Sequence, residues 1–238
     1  MAQDLSYKAQ TTAPIGSAAI DIGLRQYMLR VYNYMGAGLA LTGLIAYFGA
    51  SSGLYASISR GPLFWVVLLA PLALVFFLSF RINRMSLSAA QLSFWAYAGL
   101  VGLSLSGIFL VYTGQSIARV FFISAATFGA TSLYGYTTRA DLSRFGSFLF
   151  MGLIGIVIAS LVNVFLKSSG LQFAISIIGV LIFTGLTAYD TQRIKGIYAA
   201  GDDDIVAGKK AIMGALALYL DFLNLFLMLL QLVGDRRR

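Results

Sequence analysis

The sequence predicts an all-α polytopic membrane protein with seven transmembrane helices. Two observations carry that prediction. The chain is 59% hydrophobic and only 11% charged, whereas a soluble domain is nearer a quarter charged. Its apolar residues form continuous runs of about the 20 residues that a bilayer-spanning helix needs. Lipid offers backbone N–H and C=O groups no water to bond, so a span is either a helix or a strand of a closed barrel. Barrel strands alternate in hydropathy; these runs do not, and helices remain.

Residues 1–25 are polar, mixed in charge and rich in Ala, Thr and Ser, with no cleavable signal peptide. They read as a disordered cytoplasmic tail. The membrane domain occupies residues 26–234. The first apolar segment covers 29–50. The second covers 60–81, with Pro62 at its start and Pro71 inside it. The third runs over 89–112, the fourth over 117–136 and the fifth over 145–166. The sixth covers 171–190 and the seventh 211–230. Small residues at helix-packing spacing (Gly36 and Gly38, Gly99 and Gly102, Ala125 and Gly129, Gly152 and Gly155) predict close interhelical approach inside one chain.

Basic residues set orientation. Lys8, Arg25, Arg81, Arg84, Arg139, Arg144, Arg193, Lys195, Lys209 and Lys210 fall on one side of the segments, against Arg60, Arg119 and Lys167 on the other. The first group reads as cytoplasmic and places the N-terminus there. Seven full crossings then send Arg236, Arg237 and Arg238 to the opposite side, against the rule; a re-entrant segment would avoid that. The net charge of +8 comes from residues that punctuate apolar runs. They flank membrane helices rather than form a nucleic-acid surface, so the lipid bilayer, not nucleic acid, is the expected partner.

Every acidic residue is Asp; Glu, His and Cys are absent. That removes disulfides, thiolate metal sites and the usual imidazole pH switch. The absence of His also excludes serine–histidine dyads and histidine-ligated zinc. No Gly-rich Lys-Ser/Thr loop exists to hold ATP, and no Lys after Lys210 lies in the seventh segment to carry a retinal Schiff base.

Against this background two residues stand out. Asp190 closes the sixth segment and Asp221 lies within the seventh. A carboxylate deep in a membrane helix costs roughly 2.5–3.5 kcal/mol on insertion scales, so such a residue marks a functional site by default. The two segments are joined by a basic loop and must be antiparallel, which lets the two acids reach similar depth. If they face each other they share a proton and titrate as a unit, a pH sensor made without histidine. The bland alternative pairs each acid separately, Asp190 with Arg193 for example. Arg84 and Arg81, on the same side, are candidates to neutralise an ionised Asp, although a membrane arginine is ordinarily a headgroup anchor. Asn224 follows Asp221 at i+3 on one face. Tyr189 and Tyr219 are candidate supporting polar groups, and Asn163 reads as an interhelical hydrogen-bonding residue. Asp202, Asp203 and Asp204 read as a solvated loop that starts a helix rather than as a metal site, since acids favour a helix N-terminus.

Two aspartates on adjacent helices are also what an intramembrane aspartyl protease requires. Tyr189-Asp190 resembles its first motif, but residues 218–221, LYLD, stand where Gly-x-Gly-Asp is needed. Its Pro-Ala-Leu motif is absent, the prolines being Pro14, Pro62 and Pro71. This stays a remote alternative, and no enzyme activity or cofactor is expected.

Residues 187–195, TAYDTQRIK, and 218–226, LYLDFLNLF, resemble the two signature segments of the Bax inhibitor-1 family, also called TMBIM. Residues 29–39, LRVYNYMGAGL, and 135–143, GYTTRADLS, resemble its bacterial branch, and the similarity runs from about 27 to 234. The resemblance implies seven helices with the last one central, in a bacterial inner membrane. It implies a pH-sensitive calcium leak with a di-aspartyl sensor, by position Asp190 and Asp221, which would also be the transient calcium ligands. It implies an arginine latch at the end of the second helix. Alignment through 102–108, GLSLSGI, assigns this to Arg84, with Arg81 second. Eukaryotic relatives suppress cell death and a bacterial one is associated with a membrane-bound AAA protease. The competing expectation is therefore a non-conducting stress regulator that binds such a protease. One departure is that residues 61–80 carry no charge, where some relatives have an acid.

Overall fold

A computed structural model describes residues 15–237. The elements are α1 (Ile15–Ser51), α2 (Leu54–Ile58), α3 (Leu63–Arg81), a 3-10 turn (Ile82–Arg84), α4 (Leu87–Leu105), α5 (Ile108–Val111), α6 (Gly114–Thr137), α7 (Ser143–Leu166), α8 (Ser169–Gly196) and α9 (Asp204–Val233). The seven long helices, α1, α3, α4, α6, α7, α8 and α9, are each long and apolar enough to cross a membrane. They correspond one to one with the seven apolar segments. α9 runs unbroken from the α8–α9 loop, so Arg236 and Arg237 lie at the end of the bundle opposite that loop. Of the tail expected over 1–25, residues 1–14 lie outside the described residues. From Ile15 onward the chain is already helical, because no proline interrupts it and Ala18, Ala19 and Leu24 favour helix.

The helix starts follow local chemistry. Ser86, Thr113 and Ser168 each use a side-chain oxygen to accept the backbone N–H of Ala89, Ser116 and Leu171, capping α4, α6 and α8. Asp203 caps α9 by accepting the Val206 N–H at 2.7 Å, and Asp204 opens its first turn. Asp202 accepts from Lys210 Nζ at 2.6 Å. The acidic triplet is thus a helix start, as its sequence suggested, and no cluster of three metal-ligating residues occurs among the described residues. Before α7, Asp141 Oδ1 accepts the Ser143 N–H at 2.9 Å. That bond holds its carboxyl below the usual carboxylate range.

The last helix is the core. α9 is the most buried span and packs on α1, α4, α6 and α8, while α3 leans on α4 and α7 on α8 at the periphery. Leu218, Tyr219, Leu225 and Leu230 are buried at the centre, whereas Phe80 and Phe165 are 83% and 81% exposed on the outer helices. Large exposed apolar side chains all around a bundle are what lipid contact requires and what water would punish. Two crossings depend on glycine. A Cβ on Gly102 would sit 2.7 Å from the Thr42 carbonyl oxygen of α1, and one on Gly135 would run into the Ala188 carbonyl of α8.

Pro71 sits inside α3 without breaking it. Proline has no N–H, so the Val67 carbonyl one turn earlier loses its helical partner. Ser104 of α4 replaces it: its hydroxyl donates to Val67 O at 2.6 Å. Removing that donor in a bilayer leaves a bare carbonyl. Ser104→Ala is expected to cost about 1–3 kcal/mol, read as thermal unfolding in detergent, and much less in a Pro71→Ala background where the helix supplies its own N–H. Equal losses in both backgrounds would refute this pairing.

On the face opposite the α8–α9 loop, the C-terminal residues strap back onto the bundle. Thr113 N–H donates to Asp235 O at 3.1 Å, Asp235 N–H to Ser116 Oγ at 2.8 Å and Arg237 N–H to Val111 O at 2.8 Å. The Arg119–Asp235 ion pair at 2.8 Å is exposed on both sides and adds little; the backbone bonds hold the strap.

Candidate functional site

The site forms where α8 and α9 run antiparallel. Asp190 sits in the last turns of α8 and Asp221 in the middle of α9, and both line one cleft of about 480 Å³. α7 contributes Gly146, Ser147 and Phe150 to its wall. The two carboxyl groups face the same cleft, close enough for each to influence the other's charge. An ionised carboxylate only accepts hydrogen bonds, so a hydrogen bond between the two would need a proton on one of them. Asp221 is 5% exposed, and its Oδ2 has no hydrogen-bond donor among the described residues. Asp190 is nearer the water-facing end, and among the described residues the cation in reach of it is Arg193, whose Nη1 is 3.9 Å from Oδ1. Arg193 is itself 66% exposed, so its charge is partly screened. The two alternatives drawn from the sequence therefore coexist: the acids face each other, and Asp190 also has Arg193 beside it.

Neighbouring polar residues fix α8 at this depth. Thr191, directly after Asp190, is fully buried and shares a hydrogen bond with Ser132 of α6 at 2.9 Å. Ser132 in turn meets the Tyr32 hydroxyl of α1 at 2.6 Å. Gln192 accepts the Leu142 N–H at 2.9 Å and donates to Ala140 O at 2.8 Å, tying the α6–α7 loop to the same turn. Both residues stand within the TAYDTQRIK segment without having been singled out there. The available signal was hydrogen-bonding side chains at the water-facing end of an apolar helix.

Of the remaining expected residues, Tyr189 and Asn224 line the cleft. The Asn224 amide donates to Leu220 O at 2.8 Å, leaving its carbonyl oxygen to the cleft. Tyr219 does not belong to the site. Two residues before Asp221 it points about 200° around the helix, into the core. There its hydroxyl bonds Thr42 Oγ1 at 2.6 Å, and Phe94 and Tyr97 pack edge-on against its ring. Arg84 and Arg81 are also not at the pair. Arg81 ends α3 and Arg84 ends the 3-10 turn after it; α3 packs on α4 and lends no residue to the cleft. Both are exposed, line no part of the cleft and form no ion pair among the described residues. The cation beside the acids is Arg193. Asn163 bonds Gln172 at 3.1 Å between α7 and α8, the interhelical role expected of it.

Paired carboxyls in a water-reachable cleft can do two things: exchange one proton as a unit, and offer hard oxygen ligands once ionised. Comparison with known proteins adds the relatives. A family model described as inhibitor of apoptosis-promoting Bax1 matches residues 24–238. An uncharacterised protein of Rickettsia prowazekii is 51% identical over 98% of this chain and 99% of its own length. The inner membrane protein YbhL of Escherichia coli K12 is 49% identical over 90% of this chain and 94% of its own. An uncharacterised protein of Caulobacter vibrioides is 42% identical over 97% of both chains.

Proposed function

This chain belongs to the family of inhibitors of apoptosis-promoting Bax1, the Bax inhibitor-1 family, and from that premise we propose that it is a pH-sensitive calcium leak channel gated by Asp190 and Asp221. The observation that carries the reading is that two carboxyl groups, on adjacent helices long and apolar enough to cross a membrane, line one cleft, Asp221 among the buried residues. At low pH one proton bridges the pair and holds α8 against α9. As pH rises the proton leaves, the two charges repel, and the mouth of the cleft loosens. The freed carboxylates are hard oxygen ligands of the kind calcium prefers, and they would bind the ion transiently, as cargo. Arg193 takes the place in this scheme that the resemblance gave to Arg84.

The membrane is proposed to be a bacterial inner membrane, on the strength of the location printed for the Escherichia coli relative. The N-terminal side and the α8–α9 loop face the cytoplasm, because Arg81, Arg84, Arg139, Arg144, Arg193, Lys195, Lys209 and Lys210 gather there. No catalytic step enters the scheme.

The test is calcium efflux from liposomes holding the purified protein alone, at about pH 6 and about pH 8. Efflux that rises with pH is expected. No efflux from correctly folded protein would sink the channel and leave the non-conducting regulator, to be sought as a complex with a membrane-bound AAA protease. Proteolysis of a membrane-embedded peptide, lost on changing either Asp, would instead establish the aspartyl protease.

A further inference from the structure

The polar groups of the α8–α9 seam do not end at the cleft. On α9, Asp221, Asn224, Met228 and Gln231 follow one another at i, i+3, i+7 and i+10, along a single helix face. On α8, reading back from Asp190, Phe183, Gly179, Ser176 and Gln172 form the facing stripe. At the far end, near the opposite membrane face, the stripe becomes polar again. The Gln172 side chain donates to Gln231 Oε1, and the Ser176 hydroxyl reaches the same oxygen at 3.3 Å. Asn163 of α7 donates to Gln172 Oε1 at 3.1 Å. Between the two polar ends lie about two helical turns on α9, from Asn224 to Gln231 (roughly 10 Å), and nearly four on α8, from Asp190 to Ser176 (roughly 21 Å), where the named stripes carry no polar side chain. Met228 packs over Gly179 in this stretch: a Cβ on Gly179 would lie 2.8 Å from its Cγ and Sδ.

We propose that the cation travels along the α8–α9 seam, from the Asp190–Asp221 pair, past a dry constriction made by Met228 over Gly179, to a far mouth of amide and hydroxyl oxygens supplied by Gln172, Ser176, Gln231 and Asn163. The inference rests on the channel reading and deepens it. Neutral amide oxygens are hard donors that bind calcium weakly enough to release it. An apolar neck between two wet ends gates by excluding water. Methionine is unbranched and swings between rotamers more readily than Leu or Ile, and glycine opposite leaves it room to do so. If the amide cluster served only to clasp three helices, the neck would never become wet.

The chain has no cysteine, so a single introduced thiol reports alone. Met228→Cys is expected to react with a charged methanethiosulfonate at about pH 8 and to be protected at about pH 6, while Gln231→Cys reacts at both. Met228→Ala should raise calcium efflux at the lower pH by about tenfold (about 1.4 kcal/mol of barrier). Phe165→Leu, on the exposed outer face of α7, should stay near wild type, and thermal unfolding in detergent controls for the folding of Met228→Ala. A wild type that leaks with pH while Met228→Cys stays protected and Met228→Ala leaks no faster would overturn the seam route and leave the channel standing. A wild type that never leaks, with Met228→Cys protected at both pH values, overturns both.

Discussion

Replacing Asp190 and Asp221 together by asparagine is expected to abolish the pH dependence of calcium efflux. Asparagine has the size of aspartate but carries a neutral amide that donates and accepts, so it imitates the protonated acid at every pH. In the wild type the sign is set by the shared proton: bound at low pH, the pair attracts; lost at higher pH, two charges face each other. At about 4 Å and an effective dielectric near 20, that repulsion is of order 4 kcal/mol, roughly three powers of ten in a two-state equilibrium at about 1.4 kcal/mol each. One coupled proton changes such an equilibrium by up to about tenfold per pH unit near the midpoint. The double variant should vary by less than about twofold between pH 6 and pH 8 and remain near the low-pH level. Each single variant should also stay low, since the remaining Asp keeps a neutral hydrogen-bonding partner. Should the double variant track the wild-type profile, the gate lies elsewhere.

Gly135→Ala is expected to be the most damaging single methyl addition in the chain. The new carbon would collide with the Ala188 carbonyl and approach its Cα to 2.9 Å. A flexible side chain could turn away; backbone of a packed helix cannot. Overpacking ordinarily costs 1–3 kcal/mol, and here the cost should exceed about 3 kcal/mol because α6 and α8 must separate. Gly129→Ala in the same helix is the control. Nothing lies within 4 Å of its added carbon, and better helix propensity should stabilise by up to about 1 kcal/mol. Comparable melting temperatures for the two variants in detergent would mean that this crossing is looser than described. The consequence reaches the site, because Ala188 is two residues before Asp190 and a displaced α8 carries the carboxyl away from Asp221.

How much was legible in the sequence differs between kinds of feature. The seven spans were, because the bilayer imposes length and apolarity independently of packing. The start of α9 at Asp203 was, because capping is local. The meeting of Asp190 and Asp221 was within reach, because a short basic loop forces antiparallel neighbours and the cost of a buried acid demands a partner. Helix rotation was not legible. Tyr219 and Asn224 flank Asp221 at similar distances, and only the packing of α9 against α1 and α4 turns Tyr219 inward while Asn224 looks into the cleft. Arg84 was placed by alignment through a neighbouring helix, and nothing in that operation fixes which side of the bundle α3 occupies. The repair of Pro71 by Ser104 joins residues of two helices, a pairing that no pattern within one segment announces.

The position of α9 also bears on how the molecule is made. A ribosome delivers the chain from its N-terminus, and domains generally fold in that order. Here the helix that fills the centre, contacting α1, α4, α6 and α8, is the seventh of the spans to emerge. The six earlier spans therefore enter the bilayer around a vacancy and cannot complete their packing until α9 joins them. A nascent chain that stalls before residue 204 is an unfinished ring rather than a smaller version of the protein, and membrane quality control would meet it as such.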